Sequence, residues 1–445
     1  MIDITDDALV IEEAPNLFDD DKFFTDSVES CLHLFYEYAD SDPLLLSDPE
    51  FKEMLLEDAK ELFPIDDNTG GPYWYNMEAW LEDLDEFLEI VYQLFVDQIM
   101  PHHSYAIESD SDMIAEKLTK LNEKPKHEQR TKAWYEYRYN LITASSAHKA
   151  FDTVSSKNQL IYEKCQPLVI EDRNGGSVNL NSPLHWGQKY EPVSTLLYED
   201  MFETKVSEYG CIQHDTYKFL GASPDGIMTD PELPRYGRML EIKNIVNREI
   251  NGIPKKEYWI QMQLQMETCD LDECDFLETK FMEYETFADF NKDGSFLTSE
   301  KEERKGIIMY FSTSQGRPLY VYKPLLMDLK EFDEVWEQEQ MALYEGQCYT
   351  WIRNIYWRLE KLSCVLIKRN REWFKNNIGI LAEVWGIIEK ERVIGCEHRA
   401  PKKRSNSLSG KSEVSTGCLI GKRLQVIKVR TESIDETKEA INIIE

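Results

Sequence analysis

The chain has 445 residues, 42% of them hydrophobic, and 83 acidic against 50 basic residues give it a net charge of −33. That length and apolar content can build two or three domains, and no apolar run approaches the about 18 residues that a membrane span requires. The acidic start Met1 to Asp7 is not what a secretory signal peptide is expected to show, and nine cysteines without a Cys-x2-Cys pair predict free thiols in a reducing, intracellular compartment.

The acidity is concentrated early. Met1 to Lys120 holds 32 acidic and 5 basic residues, a balance of −27, which leaves −6 for the other 325 residues. Apolar residues at helical spacing predict helices over 48–63 and 77–95, with Asp48 and Asn76 as N-caps and Pro64 and Pro101 as stops. Residues 1–125 are therefore expected to be an acidic helical N-terminal region. Its acids suit a solvated helix surface, a DNA mimic guarding a basic channel, or a docking face for a basic partner.

Glu123-Lys-Pro-Lys-His-Glu128 reads as a linker into a second domain, 126–326. A helix over 131–138 leads to Arg138 and Ile142-Thr-Ala-Ser145, where a guanidinium and hydroxyls near a helix start suit a terminal phosphate. Further helices are expected through Ile161 and Val193. In Leu184-His-Trp-Gly-Gln-Lys-Tyr-Glu191 a turn opens an amphipathic helix with Glu191 near its first turn. Strands are expected at 204–209 and 219–223.

Two strings then carry the chemistry, Gly221-Ala-Ser223-Pro-Asp225-Gly226 and Leu240-Glu241-Ile242-Lys243-Asn244. On a strand Glu241 and Lys243 share a face, with Ile242 turned to the other. With Asp225 on the neighbouring strand, two carboxylates and an ammonium meet, as in a metal-dependent phosphodiesterase. Carboxylates suit Mg2+ or Mn2+, and a lysine can orient the attacking water or offset developing charge. The plainer alternative is the solvent face of an edge strand. In the following helix Tyr258, Gln261 and Gln265 recur at i, i+3 and i+7 on one face.

Strands are expected again at 274–281 and 306–311. Between them Asp289, Asn291, Asp293, Gly294 and Glu300 fit positions 1, 3, 5, 6 and 12 of a calcium-binding EF-hand loop. The flanks read as strands rather than paired helices, which favours an acidic hairpin loop without calcium. Residues 327–395 are expected to be helical and rich in aromatics, with tryptophans among Lys and Arg suited either to a buried cap or to base stacking. Residues 396–445 form a basic, flexible tail; Cys396 to Arg430 carries 9 basic and 2 acidic residues, and Pro401-Lys-Lys-Arg404 suits a nuclear signal or a DNA tether.

In order and spacing, Trp134-x3-Arg138-x3-Ile-Thr-Ala-Ser145, Gly187-x3-Glu191, Gly221-x-Ser-Pro-Asp-Gly226, Glu241-x-Lys243 and the Tyr/Gln helix resemble the lambda-exonuclease-like (YqaJ-type) viral recombinase nucleases. The resemblance covers Gln129 to Tyr284, with a weaker tail through 305–311 and 320–322, and its wording is closest to the versions of large double-stranded DNA viruses. It implies an α/β fold with the mixed, helix-flanked sheet of the PD-(D/E)XK superfamily. It implies Asp225 and Glu241 as metal ligands with the Ile242 carbonyl, Lys243 as the catalytic lysine, and Glu191 serving a second Mg2+ or Mn2+ ion or its waters. Arg138, Ser145 and Ser223 match the grip on a 5′-phosphate. Gln261 and Gln263 both fit the helix glutamine, and the face shared with Tyr258 favours Gln261. The cysteine spacing does not match the iron–sulfur clusters of some relatives.

The implied activity is Mg2+-dependent hydrolysis of DNA, 5′→3′ from duplex ends, in viral recombination, repair or replication. The alternatives are a structure-specific endonuclease on the same core and a non-catalytic DNA- or recombinase-binding scaffold. Double-stranded DNA ends, a single-strand annealing protein and further copies of the chain are the partners this implies, with no membrane. The implied site of action is the host cytoplasm or a viral factory, with the nucleus as an alternative.

Overall fold

The computed structural model describes residues 21–42, 45–48, 50–63, 77–99, 111–125, 127, 131–168, 179–314 and 316–400. The caps and stops expected at Asn76, Pro64 and Pro101, and the basic tail beyond residue 400, lie outside them. The acidic region forms four helices, α1 (Asp21–Ser41), α2 (Phe51–Lys60), α3 (Met77–Ile99) and α4 (Ser111–Glu123). Each buries an apolar stripe, with Phe35, Leu55, Leu88, Phe95 and Leu118 inside, and leaves its acids outward. α4 docks on the following domain. Lys117 pairs with Asp272 at 3.2 Å, Lys124 pairs with Asp215 at 2.9 Å, and Tyr209 donates to Asn122. The described residues up to Ala400 group as one contact unit.

Helix α5 (Lys132–Tyr139) is capped by the Thr131 hydroxyl, which accepts from Trp134 N. After it come β1 (Ile142–Thr143), α6 (Ala144–Ala147), α7 (Val154–Cys165) and α8 (Pro183–Phe202). α8 starts on a Ser182 cap with Pro183 in its first turn. The strands β2 (Val206–Ser207), β3 (Ile212–Gln213), β4 (Leu220–Ala222), β5 (Gly226–Met228) and β6 (Met239–Asn244) follow. Helix α9 (Lys256–Cys269) then crosses to β7 (Glu273–Tyr284), as a parallel neighbour of β6 requires. The chain continues through α10 (Phe287–Lys292), β8 (Lys305–Thr313), β9 (Pro318–Tyr322), α11 (Leu329–Glu331), α12 (Glu337–Gly346), β10 (Tyr349–Lys368) and α13 (Arg371–Ile394).

Seven strands form the central sheet in the order β2-β5-β6-β7-β10-β8-β9, mixed because only β6 and β7 run parallel. A small second sheet has the order β1-β4-β3. Ser223, Pro224 and Asp225 carry the chain from one sheet to the other. The glycines on either side are required by close packing. A Cβ at Gly221 would stand 2.6 Å from Leu141 Cδ1, and one at Gly226 would stand 2.0 Å from Val206 Cγ1.

The expected helical C-terminal region needs one correction. α12 and α13 are helices, but residues 349–368 are β10, which pairs with β7 on one side and β8 on the other. Buried Ile355 and Trp357, and later Cys364 and Leu366, stand two apart, the strand period that the Trp and Arg content obscured. Trp357 and Trp373 are core residues, whereas Trp351 is exposed.

The stretch that fits an EF-hand loop links β7 to β8, yet β10 lies between those two strands, so the expected hairpin does not form. Asp289 sits inside α10, capped by Thr286. The buried ammonium of Lys305 donates to the carbonyls of Phe290, Asp293 and Ser295 at 2.5, 2.5 and 2.8 Å. A side-chain cation thus takes the carbonyl oxygens at the centre of this loop.

Candidate active site

The Glu-x-Lys strand is β6, next to β5 in the central sheet. Glu241 and Lys243 face α9, and Ile242 faces the apolar layer under α8 with Tyr198 and Leu277. Asp225 sits immediately before β5, and its Oδ2 accepts the Ile242 N–H at 2.7 Å. The Lys243 ammonium contacts Glu241 Oε1 and lies 5.0 Å from the centre of the Tyr258 ring. Asp225, Glu241, Lys243 and Tyr258 are therefore gathered at one point.

α9 completes the point from above. Gln261 Nε2 donates to Glu241 Oε1 and Gln265 Nε2 to Glu241 Oε2, both at 2.7 Å. The glutamines are a turn apart on one buried face, not on a solvated one. Gln263 is on the opposite side of the helix. It donates to the Lys368 carbonyl and accepts from Asn370 N, joining α9 to the turn between β10 and α13. Of the two glutamines that fit the pattern, only Gln261 reaches the site.

Glu191 is exposed on α8, and its charge reaches Asp225. Asn244, which sequence reasoning did not single out, ties that helix to β6. It accepts from Ser194 and Thr279 at 2.7 and 2.8 Å and donates to the Gly187 carbonyl at 3.1 Å. An amide directly after Glu-x-Lys was the available signal.

The electrostatics suit a cation. Burial, with Glu241 and Glu191 adding to it, pushes the Asp225 carboxyl well above its ordinary range against the pull of Lys243 and the Ile242 N–H. Burial pulls Lys243 down, but Glu241 and Asp225 outweigh it and hold the ammonium above its ordinary pKa. A buried carboxyl that resists ionising beside a second carboxylate, with oxygen donors only, fits a hard divalent ion. Among the described residues no group of three or more His, Cys, Asp or Glu is assembled as a ready-made metal cluster. Asp225 and Glu241 with backbone oxygen could supply the donors, and Glu191 adds charge nearby.

Of the phosphate-suited residues, Arg138 and Ser223 meet beside this point. Arg138 Nη1 donates to Ser223 Oγ at 3.1 Å, and its guanidinium stacks 4.6 Å from the centre of the Trp134 ring. β1 and β4 run parallel with Thr143 opposite Gly221, so Ser145 and Ser223 both follow the same end of that pair. Ser145 is exposed, and its hydroxyl lies 3.4 Å from Thr143 Oγ1. Sequence reasoning missed Lys164 on α7, which donates to the Arg138 carbonyl at 2.9 Å. Burial, then the charges of Arg138 and Arg392, lower its pKa to about 8.

Among known proteins, residues 133–272 match the YqaJ-like viral recombinase domain. An uncharacterised protein of Acanthamoeba polyphaga mimivirus is 30% identical over 363 residues, 73% of this chain and 65% of that protein. The chain thus spans less than two thirds of that relative's length. Among solved structures, an alkaline exonuclease from Laribacter hongkongensis overlaps 61% of this chain and 98% of its own at 18% identity and a TM-score of 0.34. The same exonuclease in complex with dAMP covers 60% and 95%, at 18% identity and a TM-score of 0.31. A phage-related exonuclease from Haemophilus somnus covers 58% and 96%, at 12% identity and 0.30. These overlaps are loose, and the fold rests on the strand order above. Over residues 133–272 the chain is thus similar to a YqaJ-like viral recombinase domain.

Proposed function

We propose that the chain is a Mg2+-dependent DNA exonuclease that works 5′→3′ from duplex ends, in the recombination, repair or replication of viral DNA. The observation that carries this is the adjacency of two chemistries. Asp225, Glu241 and Lys243 converge on β5 and β6, and two residues before Asp225, Ser223 holds Arg138. A phosphate seat that close to a hydrolytic centre places a chain end, rather than an interior bond, against the carboxylates.

Asp225, Glu241, the Ile242 carbonyl and Glu191 are the residues to hold one or two divalent ions. A bound ion would supply an activated water and offset charge on the phosphate. Lys243 orients that water or takes the charge that builds on the phosphoryl oxygens. Gln261 and Gln265 keep the Glu241 carboxylate in one orientation. Arg138 with Ser223 and Ser145 grips the 5′-phosphate, and the Tyr258 ring of α9 packs against the Lys243 ammonium. Duplex DNA ends are the substrate, and a single-strand annealing protein and further copies of the chain are the partners this role calls for. The cytoplasm, a viral factory or the nucleus of a host cell would be its place of work. No helix among the described residues is long and apolar enough to cross a membrane.

The test is end-labelled linear duplex beside closed circular DNA, with Mg2+, using wild type and Asp225→Ala. The proposal expects mononucleotides from the 5′ end of the linear DNA, intact circles, and no cleavage by the variant. Nicked or linearised circles would favour an endonuclease on the same core, and cleavage by Asp225→Ala would remove the assignment.

A further inference from the structure

Gln265 touches both halves of the site. Its Nε2 donates to Glu241 Oε2 at 2.7 Å and approaches the Ser223 carbonyl at 3.3 Å. Glu241 belongs to the hydrolytic centre and Ser223 to the phosphate seat. The side chain is fully buried. Its Oε1 is buried too and has no hydrogen-bond partner. A buried acceptor left unpaired is costly, and a donor that comes with the substrate, a water or a hydroxyl, would satisfy it.

We infer that Gln265 is a positioning residue that couples occupancy of the 5′-phosphate seat to the orientation of the Glu241 carboxylate. This deepens the exonuclease proposal and rests on it. One amide nitrogen, through its two N–H groups, bridges a backbone carbonyl that moves with Ser223 and the Glu241 carboxylate. When a phosphate draws Arg138 and Ser223 together, the strand segment that carries the Ser223 carbonyl is fixed, and Gln265 transmits that fixed position to Glu241. Gln261 holds the other Glu241 oxygen and, among the described residues, makes no hydrogen bond to Arg138, Ser145 or Ser223. The two glutamines therefore divide the work: Gln261 holds the carboxylate whatever the chain end is, and Gln265 holds it according to the end.

The experiment compares wild type, Gln265→Met and Gln261→Met on duplexes that differ only in a 5′-phosphate or a 5′-hydroxyl. Cleavage with Mg2+ is read beside metal-free binding of the same duplexes by fluorescence anisotropy, and the thermal midpoint of each protein is recorded. Methionine keeps length and apolar fit, so the fold is expected to persist. For Gln265→Met the inference expects kcat on 5′-phosphate ends to fall about tenfold, the worth of one well-placed hydrogen bond. It expects kcat on 5′-hydroxyl ends to fall by a clearly smaller factor and the binding preference for the phosphate to survive. For Gln261→Met it expects equal loss on both ends. If Gln265→Met lowers both ends equally, or leaves the phosphate-to-hydroxyl ratio at the wild-type value, the coupling is overturned while the exonuclease proposal stands. If wild type cleaves neither duplex, the exonuclease proposal itself fails.

Discussion

Ile242 N–H donates to Asp225 Oδ2 at 2.7 Å. One peptide unit between Glu241 and Lys243 therefore fixes the carboxylate that enters from the neighbouring strand. The geometry of the three chemical groups follows from strand alternation plus this single bond, so each can be tested separately.

Lys243→Ala should lower the rate about 10²- to 10³-fold, the usual loss when one electrostatic stabiliser is removed. Metal-free DNA binding should change far less. Single-turnover kinetics beside a binding isotherm separate the two, and a pure binding defect would contradict the role.

Arg138→Ala should weaken cleavage of 5′-phosphorylated ends more than of 5′-hydroxyl ends, because the guanidinium is held by Ser223 at the seat. Ser223→Ala should shift the ratio the same way by a smaller factor. Equal losses on both ends would dissolve the seat.

Gln263 gives a built-in control. Gln263→Ala removes two buried hydrogen bonds to the turn after β10, which should cost stability of about 1–3 kcal/mol and leave kcat close to wild type in the folded protein. Gln261→Ala should do the reverse, with the larger loss in kcat. Denaturation midpoints and kcat for both variants check the contrast.

Lys164 predicts a pH dependence of stability. Burial and its cationic neighbours lower its pKa from 10.5 to about 8. Between those values the unfolded chain binds more protons than the folded one, so this group makes stability rise with pH across about 8 to 10.5. Below about pH 8 the full penalty of a buried charge persists. Lys164→Met should therefore stabilise most at neutral pH, and its gain over wild type should shrink as pH climbs through that window. Midpoints measured from pH 7 to 10 read it directly; a constant difference would contradict it.

Removing Met1 to Lys120 should lower the thermal midpoint, since it breaks the Lys117–Asp272 pair and uncovers the surface that Leu118 buries. An unchanged midpoint would show that the acidic helices and the following domain are energetically independent.

How far the sequence carried the structure can be judged from particular residues. Asp225, Glu241 and Lys243 were legible because strand alternation converts i, i+2 spacing into a shared face. The α9 face was legible for a similar reason: Gln261 and Gln265 are one turn apart, and Gln263 is not. β10 was missed although Tyr, Thr, Trp and Ile at 349–357 are strand formers, because the charged residues among them suggested a helix face and the pairing partners lie far away in sequence. The switch between the two sheets at Ser223-Pro224-Asp225 was also hidden, since a turn and a change of sheet look alike in one dimension. Asn244 and Lys164 act through contacts that only the assembled fold creates.

In the proposed function Asp225 and Glu241 together hold the divalent ion that drives cleavage. Calorimetric titration of Mn2+ into the full chain, wild type against Asp225→Ala and Glu241→Ala, tests it most directly when paired with cleavage of linear duplex by the same samples. Saturable binding by wild type, lost with activity in both variants, is the predicted result. Undiminished ion binding in the variants, or cleavage that persists in EDTA, would contradict it.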